Sequence, residues 1–506
     1  MISRVLNRFS LLRRVPFSAT NNVILMMLVV GCICLPFADL VVSVTYPWAE
    51  LSRIFTGAIT PSYPDISELF SAVMLTVQFA VLGVMLSLVV GFVCALFYRW
   101  PVVRWACAFI RAIHELFWGL LLIAMIGVSP LAGLLAIAIP YSGVFAKVFY
   151  EMLLQADPEP RQVLRGKVGK VSNFLFSQLM QVVSQMSHYV SYRLECALRS
   201  SAVLGFVGLP TIGFHLESAI KEGHYSEAWM LLYVLLLLIA GKRWWFNGKT
   251  WWVMVLSAVI FFPFGQGVSL QYAGAFIADE IVPAPMRGQV WASIADGKLL
   301  SWFLHLWSEE VYPGIVDTIV LTMVSVVLTG LFVVFFLPLQ SFLFLGRYGR
   351  GGGIAVLLVV RSLPEVVIAF VLMLLIGPSM IPAIIALALH NGGVICYLLR
   401  GQVDSLDLRP DCPAPLLLYS YEVLPRVSAQ LMSFWLYRWE VIMRETAILG
   451  LLGVSTLGFY IDSAFEDIRY DRALLLILFA AALNMVMEAI SGQLQRRLRL
   501  SSLHNN

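Results

Sequence analysis

Two segments of the chain carry charged residues within long apolar stretches, and the two are near-copies. Residues 192–214 read YRLECALRSSAVLGFVGLPTIGF, and residues 437–459 read YRWEVIMRETAILGLLGVSTLGF. A charged side chain in the hydrocarbon of a bilayer costs at least about 2.5–3.5 kcal/mol on insertion scales. Forked guanidinium groups suit bidentate contact with phosphate-like oxyanions. The duplication therefore indicates a two-fold pathway for an anion, with six candidate residues: Arg193, Glu195 and Arg199 in the first copy, and Arg438, Glu440 and Arg444 in the second.

Spacing divides these arginines into two kinds. Arg199 and Arg444 each follow a glutamate by four residues, which predicts an ion pair on one helix face in each copy. Such pairs lower the cost of burial, and they serve either to fix helix packing or to line the pathway. Arg193 and Arg438 have no glutamate four residues ahead. They are the freer cations and the predicted contacts for cargo.

A second charged motif occurs twice, as RAIHE at residues 111–115 and RSLPE at residues 361–365. Its arginine and glutamate are again four residues apart, which predicts ion pairs near the cytoplasmic helix ends. Bracing of the helix bundle is the favoured interpretation, and a role in the pathway is the alternative. His390, beside an Asn-Gly-Gly sequence, is expected to be a packing or helix-break residue rather than a ligand.

The sequence contains no motif that predicts catalysis. Residues 247–250 read NGKT, but Arg243 occupies the position where a phosphate-binding loop requires glycine. The seven cysteines show no paired spacing, so neither disulfides nor a metal site is expected. We therefore expect a protein that is not an enzyme and binds no cofactor itself.

Composition places these motifs in an all-α polytopic membrane protein. Of 506 residues, 60% are hydrophobic and 13% are charged, whereas soluble domains average about 25% charged residues. Apolar segments of spanning length predict about twelve transmembrane helices in two groups of six. The segments are 22–44, 69–98, 106–127, 130–152, 178–208, 226–241, 250–264, 312–342, 352–377, 380–400, 428–455 and 471–491.

Repeated motifs and charge distribution define the predicted layout. The motif pairs are separated by 250 residues at RAIHE and RSLPE, and by 245 residues at the opening motif. An even number of helices per copy predicts two parallel six-helix repeats, 1–245 and 246–506, the second with an outer loop at about 265–310. Basic residues collect in alternate loops, as in residues 161–170, which predicts that both termini are cytoplasmic.

Glycines recur at the end of one span in each copy, at residues 205–213 and 450–458. They are interpreted either as ordinary helix terminators or as flexible gates at the outer mouth of the pathway. The sequence favours neither.

The pattern YRxE…R…LGxxG…GF, together with RS[IL]PE and a DPxP loop, resembles the phosphonate-type permeases of bacterial ABC importers over about 106–241 and 352–491. The resemblance implies the type I ABC importer permease fold, here with two permease halves fused in one chain. It also implies a cytoplasmic loop in each half that docks on an ATPase. The corresponding positions are Asp157, Gln162, Arg165 and Gly169 in the first loop, and Asp407, Arg409, Cys412 and Pro425 in the second.

The function that the resemblance implies is transport of a small oxyanion, phosphonate or phosphite, through the inner membrane. Partners would be two cytoplasmic ATP-binding subunits, which hold ATP and Mg, and a periplasmic substrate-binding protein. The lipid bilayer surrounds the chain, and no nucleic-acid partner is expected. Alternatives are an ABC permease for iron or thiamine and a twelve-helix secondary transporter.

Overall fold

The computed structural model describes residues 19–44, 46–164, 166–268, 271–287, 296–341, 344–407 and 415–504. Within these ranges the regular secondary structure is entirely helical. The predicted all-α class is therefore confirmed.

The description that follows uses sixteen helices, which are joined by shorter helices and turns. The first group is α1 (Ala19–Cys34), α2 (Ile66–Phe97), α3 (Pro101–Ala112), α4 (Glu115–Ile126), α5 (Pro130–Gln155), α6 (Met180–Val203), α7 (Ile212–Lys221) and α8 (Tyr225–Ala240). The second is α9 (Trp251–Phe261), α10 (Tyr312–Phe336), α11 (Arg347–Ser362), α12 (Glu365–Ile376), α13 (Met380–Asp404), α14 (Leu424–Leu449), α15 (Leu457–Glu466) and α16 (Tyr470–His504).

Many of these helices are long and apolar enough to cross a membrane. Five meet that description alone, and four bent pairs meet it together: α3 with α4, α6 with α7, α11 with α12, and α14 with α15. Three shorter apolar helices, near α1, α8 and α9, occupy the places of the other predicted spans. These findings support a multi-pass membrane protein. The count of twelve crossings stays a prediction, because the three short helices fall below the about 20 residues that span a bilayer.

The sharpest bends occur at matched places in the two groups. The chain turns by 90° between α3 and α4, and by 96° between α11 and α12. Both α4 and α12 begin at a glutamate and end before a glycine, Gly127 or Gly377, whose φ is 87° or 101°. A side chain with a Cβ rarely adopts that conformation, so glycine ends each helix.

The parallel repeat and its boundary at 245/246 stay predictions.

The first helix of each group packs against the other group. Helix α1 lies on α10, and its Met27 belongs to the hydrophobic core formed mainly by the second group. Helix α9 lies on α2, and the ring of Phe262, just beyond it, is 6.1 Å from that of Phe79. This exchange ties the two sequence halves into one packed body.

The glycine-rich segments bring two backbones into direct contact where α6 meets α7 and where α14 meets α15. A Cβ at Gly213 would lie 1.6 Å from the carbonyl oxygen of Ala202, and one at Gly458 would lie 2.1 Å from that of Ala447. Helix α6 ends in a 3-10 turn closed by Gly208, which has a φ of 88°. The structure supports the terminator interpretation of these segments; the gate stays a prediction.

Candidate functional site

A cavity of about 120 Å³ lies where the two groups meet, and all four predicted arginines line it. The first group contributes residues from α3 to α6, and the second contributes residues from α12 and α14. Glu195 and Glu440 lie beside the cavity on α6 and α14 but are not among its lining residues. Residues separated by about 245 positions in sequence thus come together in one site.

Arg193 contacts only neutral groups among the described residues. Its Nε donates a hydrogen bond to the hydroxyl of Tyr189 at 3.0 Å. Its guanidinium carbon lies 5.0 Å from the ring centroid of Tyr141 and 5.6 Å from that of Tyr189, within the range of cation–π attraction. Arg193 is therefore a partly buried cation with no ion pair in the described part of the chain.

Arg438, at the matched position, also contacts a neutral group. Its Nη1 donates to Oδ1 of Asn391 at 3.2 Å, and its Nε has no partner in the described ranges. The residue is 6% exposed. As the spacing predicts, no carboxylate within these ranges forms an ion pair with it. Contact with cargo stays a prediction for both arginines.

The expected pair between Glu195 and Arg199 does not form, so that prediction is wrong. Glu195 instead accepts from Nη1 of Arg361 at 2.9 Å and from Nζ of Lys242 at 3.3 Å. Both cations come from other helices and approach the carboxylate more closely than Arg199 does. Glu195 therefore holds α6 to α11 of the second group.

The second copy departs from the prediction as well. Glu440 forms no hydrogen bond or ion pair with any described residue, and Arg444 does not contact it. Arg111, the counterpart of Arg361, pairs instead with Glu488 on α16, which Lys147 also contacts at 2.9 Å. Glu488 on α16 thus forms the ion pair with Arg111 that Glu195 forms with Arg361, while Glu440 acts on Arg111 electrostatically without an ion pair in the described ranges.

Arg199 and Arg444 reach across to the opposite group. Nη1 of Arg199 donates to the carbonyl of Arg361 at 3.3 Å, and Nη1 of Arg444 donates to the carbonyl of Arg111 at 3.1 Å. These carbonyls lie in the last turns of α11 and α3, where helical C=O groups lack intrahelical donors and carry partial negative charge. Each arginine therefore caps a helix end of the other half.

The predicted pairs Arg111–Glu115 and Arg361–Glu365 are also wrong, because the helix breaks between the two members of each pair. Helix α3 ends at Ala112 and α4 begins at Glu115, so the four-residue spacing no longer places the side chains on one face. The break directs Glu115 and Glu365 to the cavity. In the second copy, Pro364 was the sequence signal for this helix break, because a residue that precedes a proline disfavours the α-helical backbone conformation.

Three titratable residues cluster on the second-group side of the cavity. Glu365, His390 and Glu445 each present an atom within 4.8 Å of the others. His390 Nε2 lies 2.7 Å from Nη1 of Arg199, and its Nδ1 lies 3.1 Å from the carbonyl of Leu363, so both ring nitrogens have partners. With the surrounding arginines, this arrangement opposes binding of a metal cation. His390 packs as the sequence indicates, but as a partner of a cavity arginine.

The first predicted docking loop is an exposed segment with one clear anchor. Asp157 exchanges two hydrogen bonds with Gln181: its N–H donates to Oε1 at 2.9 Å, and its carbonyl accepts from Nε2 at 3.2 Å. Gln162 lies in an exposed one-turn helix, Glu159–Val163, and Gly169 precedes another, Lys170–Asn173. Arg165 lies outside the described residues.

The second loop has an anchor at the matched position. Arg426, which is 245 residues after Gln181, donates from Nη1 to the carbonyl of Asp407 at 2.7 Å. Pro425 lies in the first turn of α14. Arg409 and Cys412 lie outside the described residues. The sequence did not indicate the two anchors.

Comparison with known proteins identifies permeases. The Phosphate-import permease protein PhnE of Mycolicibacterium smegmatis is 25% identical over 430 residues, 78% of this chain and 78% of that protein. The Putative phosphite transport system permease protein HtxC of Stutzerimonas stutzeri is 24% identical over 240 residues, 45% of this chain and 84% of its own. The Putative cryptic phosphonate transport system permease protein PhnE2 of Escherichia coli is 29% identical over 108 residues, 21% of this chain and 88% of its own.

No model of a known protein family matches the chain, and no solved structure matches it. The 430-residue alignment is longer than either predicted half, so that relative is similar to this chain across both. The match over most of the chain confirms the resemblance that the motifs indicated, which is to phosphonate-type permeases of ABC importers.

Proposed function

We propose that this chain is the membrane-spanning permease subunit of an ABC importer and forms the passage for a small phosphorus oxyanion. Two separate ATP-binding subunits would drive transport, and a periplasmic binding protein would deliver the cargo. The relatives are named for phosphate, phosphite and phosphonate transport, and each of these anions presents several oxygens on one phosphorus. In this proposal both termini are cytoplasmic, and residues 1–245 and 246–506 form two parallel six-helix halves in the inner membrane.

The cavity is the observation that carries the proposal. Arg193, Arg199, Arg438 and Arg444 line a volume of about 120 Å³, and no described carboxylate forms an ion pair with any of them. A cavity of this size has room for several water molecules or one small tetrahedral oxyanion. Guanidinium groups that form no ion pair with the glutamates of the cavity remain available to an anionic ligand. Their contacts with neutral groups suit passage, because a tight site would trap the anion.

The coupling role rests on the two exposed loops. Each leads into the long helix that carries cavity arginines, α6 or α14, and each is anchored near the start of that helix. ATPase closure that pushes the loops together would therefore move both rows of arginines. ATP and Mg would be held by the partner subunits.

Uptake measurements test the passage. In cells that depend on this gene for phosphonate, phosphite or phosphate uptake, Arg193→Ala with Arg438→Ala should lower uptake at least about tenfold, because each change removes charge-assisted hydrogen bonds. The matched control is Arg243→Ala with Arg469→Ala, which removes two exposed cations outside the cavity. Uptake equal to the control, with equal amounts of protein in the membrane, would contradict a passage through this cavity.

A second measurement separates an importer from the alternatives. Co-purification with an ATPase subunit is expected for the full chain, and deletion of residues 162–170 should abolish it. A twelve-helix secondary transporter would instead move its cargo without any ATPase subunit. An iron or thiamine permease would keep the ATPase but show no uptake of phosphorus oxyanions.

A further inference from the structure

The two sides of the cavity are not equivalent, because one of two matched positions carries a different residue. In the first group, Glu115 accepts a hydrogen bond from the hydroxyl of Ser200 at 2.6 Å. In the second group, Glu365 corresponds to Glu115 at an offset of 250, and Glu445 corresponds to Ser200 at an offset of 245. A serine donor is thus replaced by a second carboxylate. The second-group side gains an acceptor and loses the donor that would satisfy it.

Glu365 is left with no donor among the described residues other than its own backbone N–H as a result. It is 8% exposed, it lines the cavity, and its carboxylate receives no hydrogen bond or ion pair from another residue in the described ranges. Glu445 accepts one hydrogen bond, from Nδ2 of Asn391 at 2.7 Å. Each buried carboxylate has a single donor within the described part of the chain and further acceptor capacity, so a ligand that supplies a hydrogen would lower the cost of burying the pair.

The charges around the two glutamates indicate the chemistry of the ligand that would supply this hydrogen. Arg199, Arg438 and Arg444 act electrostatically on Glu445, while Glu445 itself, Arg199 and Glu115 act on Glu365. His390 stands between the two glutamates with both ring nitrogens engaged. The three arginines disfavour a cation. A ligand that satisfies all these groups is an anion that also carries a hydrogen-bond donor.

Resting on the proposed function, we propose that Glu365 and Glu445 make the cavity selective for oxyanions that bear a hydroxyl hydrogen. The arginines bind the charged oxygens, and a glutamate carboxylate accepts the hydrogen of the P–OH group. Hydrogenphosphate and protonated phosphonates fit this description at neutral pH. Sulfate has similar size and charge, but it carries no hydrogen.

Sulfate is excluded by repulsion as well as by a missing contact. An unprotonated oxygen facing a buried carboxylate has no hydrogen to share, and the two like charges repel. Sites that hydrogen-bond a hydroxyl of the ligand reject analogues that lack it, since the buried polar group is then unpaired. A hydrogen bond to a charged group accounts for roughly tenfold in affinity or more.

Competition binding on the purified full chain in lipid nanodiscs tests the inference. Inorganic phosphate is the probe, its phosphorus NMR line broadens when it binds, and sulfate is the competitor. Wild-type chain should broaden the line, and excess sulfate should fail to restore it. In Glu365→Gln and in Glu445→Gln, sulfate should displace phosphate at least about tenfold more effectively than in the wild type, because the repelling charge is gone.

Controls separate selection from general damage. Glu466→Gln removes an exposed glutamate of the second group and should keep the wild-type preference. Glu365→Asp retains the acceptor and should preserve at least part of the preference. The two substituted residues lie on different helices. If one variant misfolds, the other still tests the inference. Equal displacement by sulfate in wild type and variants would overturn the inference while leaving oxyanion binding intact. No line broadening with wild type would overturn the proposed cargo, and the inference with it.

Discussion

Two glycines control how closely α7 approaches α6 and how closely α15 approaches α14. Gly213 and Gly458 sit where a backbone carbonyl of the preceding long helix passes directly over the Cα atom. The perturbation is a single methyl group at each position, Gly213→Ala and, separately, Gly458→Ala. The added Cβ would lie 1.6 Å from the Ala202 oxygen in the first case and 2.1 Å from the Ala447 oxygen in the second.

These distances determine the size and the order of the effects. Carbon and oxygen in contact sit more than about 3 Å apart, so α7 must move by well over 1 Å against rigid backbone. Overpacking of this kind costs typically 1–3 kcal/mol, and contact with backbone rather than a flexible side chain points to the upper end. Alanine's better helix propensity returns at most about 1 kcal/mol. We expect Gly213→Ala to lose about 2 kcal/mol, and Gly458→Ala to lose less.

Native cysteines provide the assay. Cys396 is completely buried, so a thiol-reactive dye reports its exposure as the purified chain unfolds on heating. The matched control is Gly401→Ala, on an exposed helical position where a Cβ meets nothing within 4 Å. The control should melt at or slightly above the wild-type temperature, and Gly213→Ala clearly below it. A Gly213→Ala chain as stable as the control would refute the close-approach reasoning.

Two further predictions concern contacts between elements. Arg444→Met keeps an apolar stem but removes the cap on the last-turn carbonyl of α3, so we expect a loss of about 2 kcal/mol in the same melting assay; Arg199→Met should act similarly on α11, and unchanged melting of both would contradict the capping role. Gln181→Leu and Arg426→Leu release the anchored ends of the two exposed loops, so ATPase co-purification should fall while melting stays near wild type. If a chain with both substitutions still co-purified fully with the ATPase subunit, the anchors would not be what positions the loops.

The sequence was sufficient for the helical class and for four of the arginines that line the cavity. Apolar length and the cost of buried charge are local properties, so hydropathy located the apolar helices and the duplicated motif located Arg193, Arg199, Arg438 and Arg444. Spacing also predicted that Arg193 and Arg438 form no ion pair with any residue in the described ranges. These inferences needed no knowledge of which helices pack together.

The partners of the charged groups required tertiary structure. Four-residue spacing predicts a pair only while the helix is continuous and no stronger partner approaches. The helix that carries Arg111 ends before Glu115, and Glu195 forms ion pairs with two cations from other helices. The anchors at Gln181 and Arg426 were missed for the same reason, since the two residues differ in type and act on loops about 20 residues away in sequence.

Joining both halves in one chain has a consequence for the cavity. Two identical subunits related by a two-fold axis would place any residue of the cavity on both sides. A glutamate in place of Ser200 would then appear twice, and the glutamates at the positions of Glu115 and Glu365 would both lack a serine donor. Four carboxylates would then face the arginines of the cavity, which lowers the net positive charge that favours an anion. In the fused chain only the second side carries Glu445, so one side keeps a satisfied glutamate while the other presents an open acceptor. An arginine-lined cavity that also accepts a hydrogen on one side therefore requires two halves that differ.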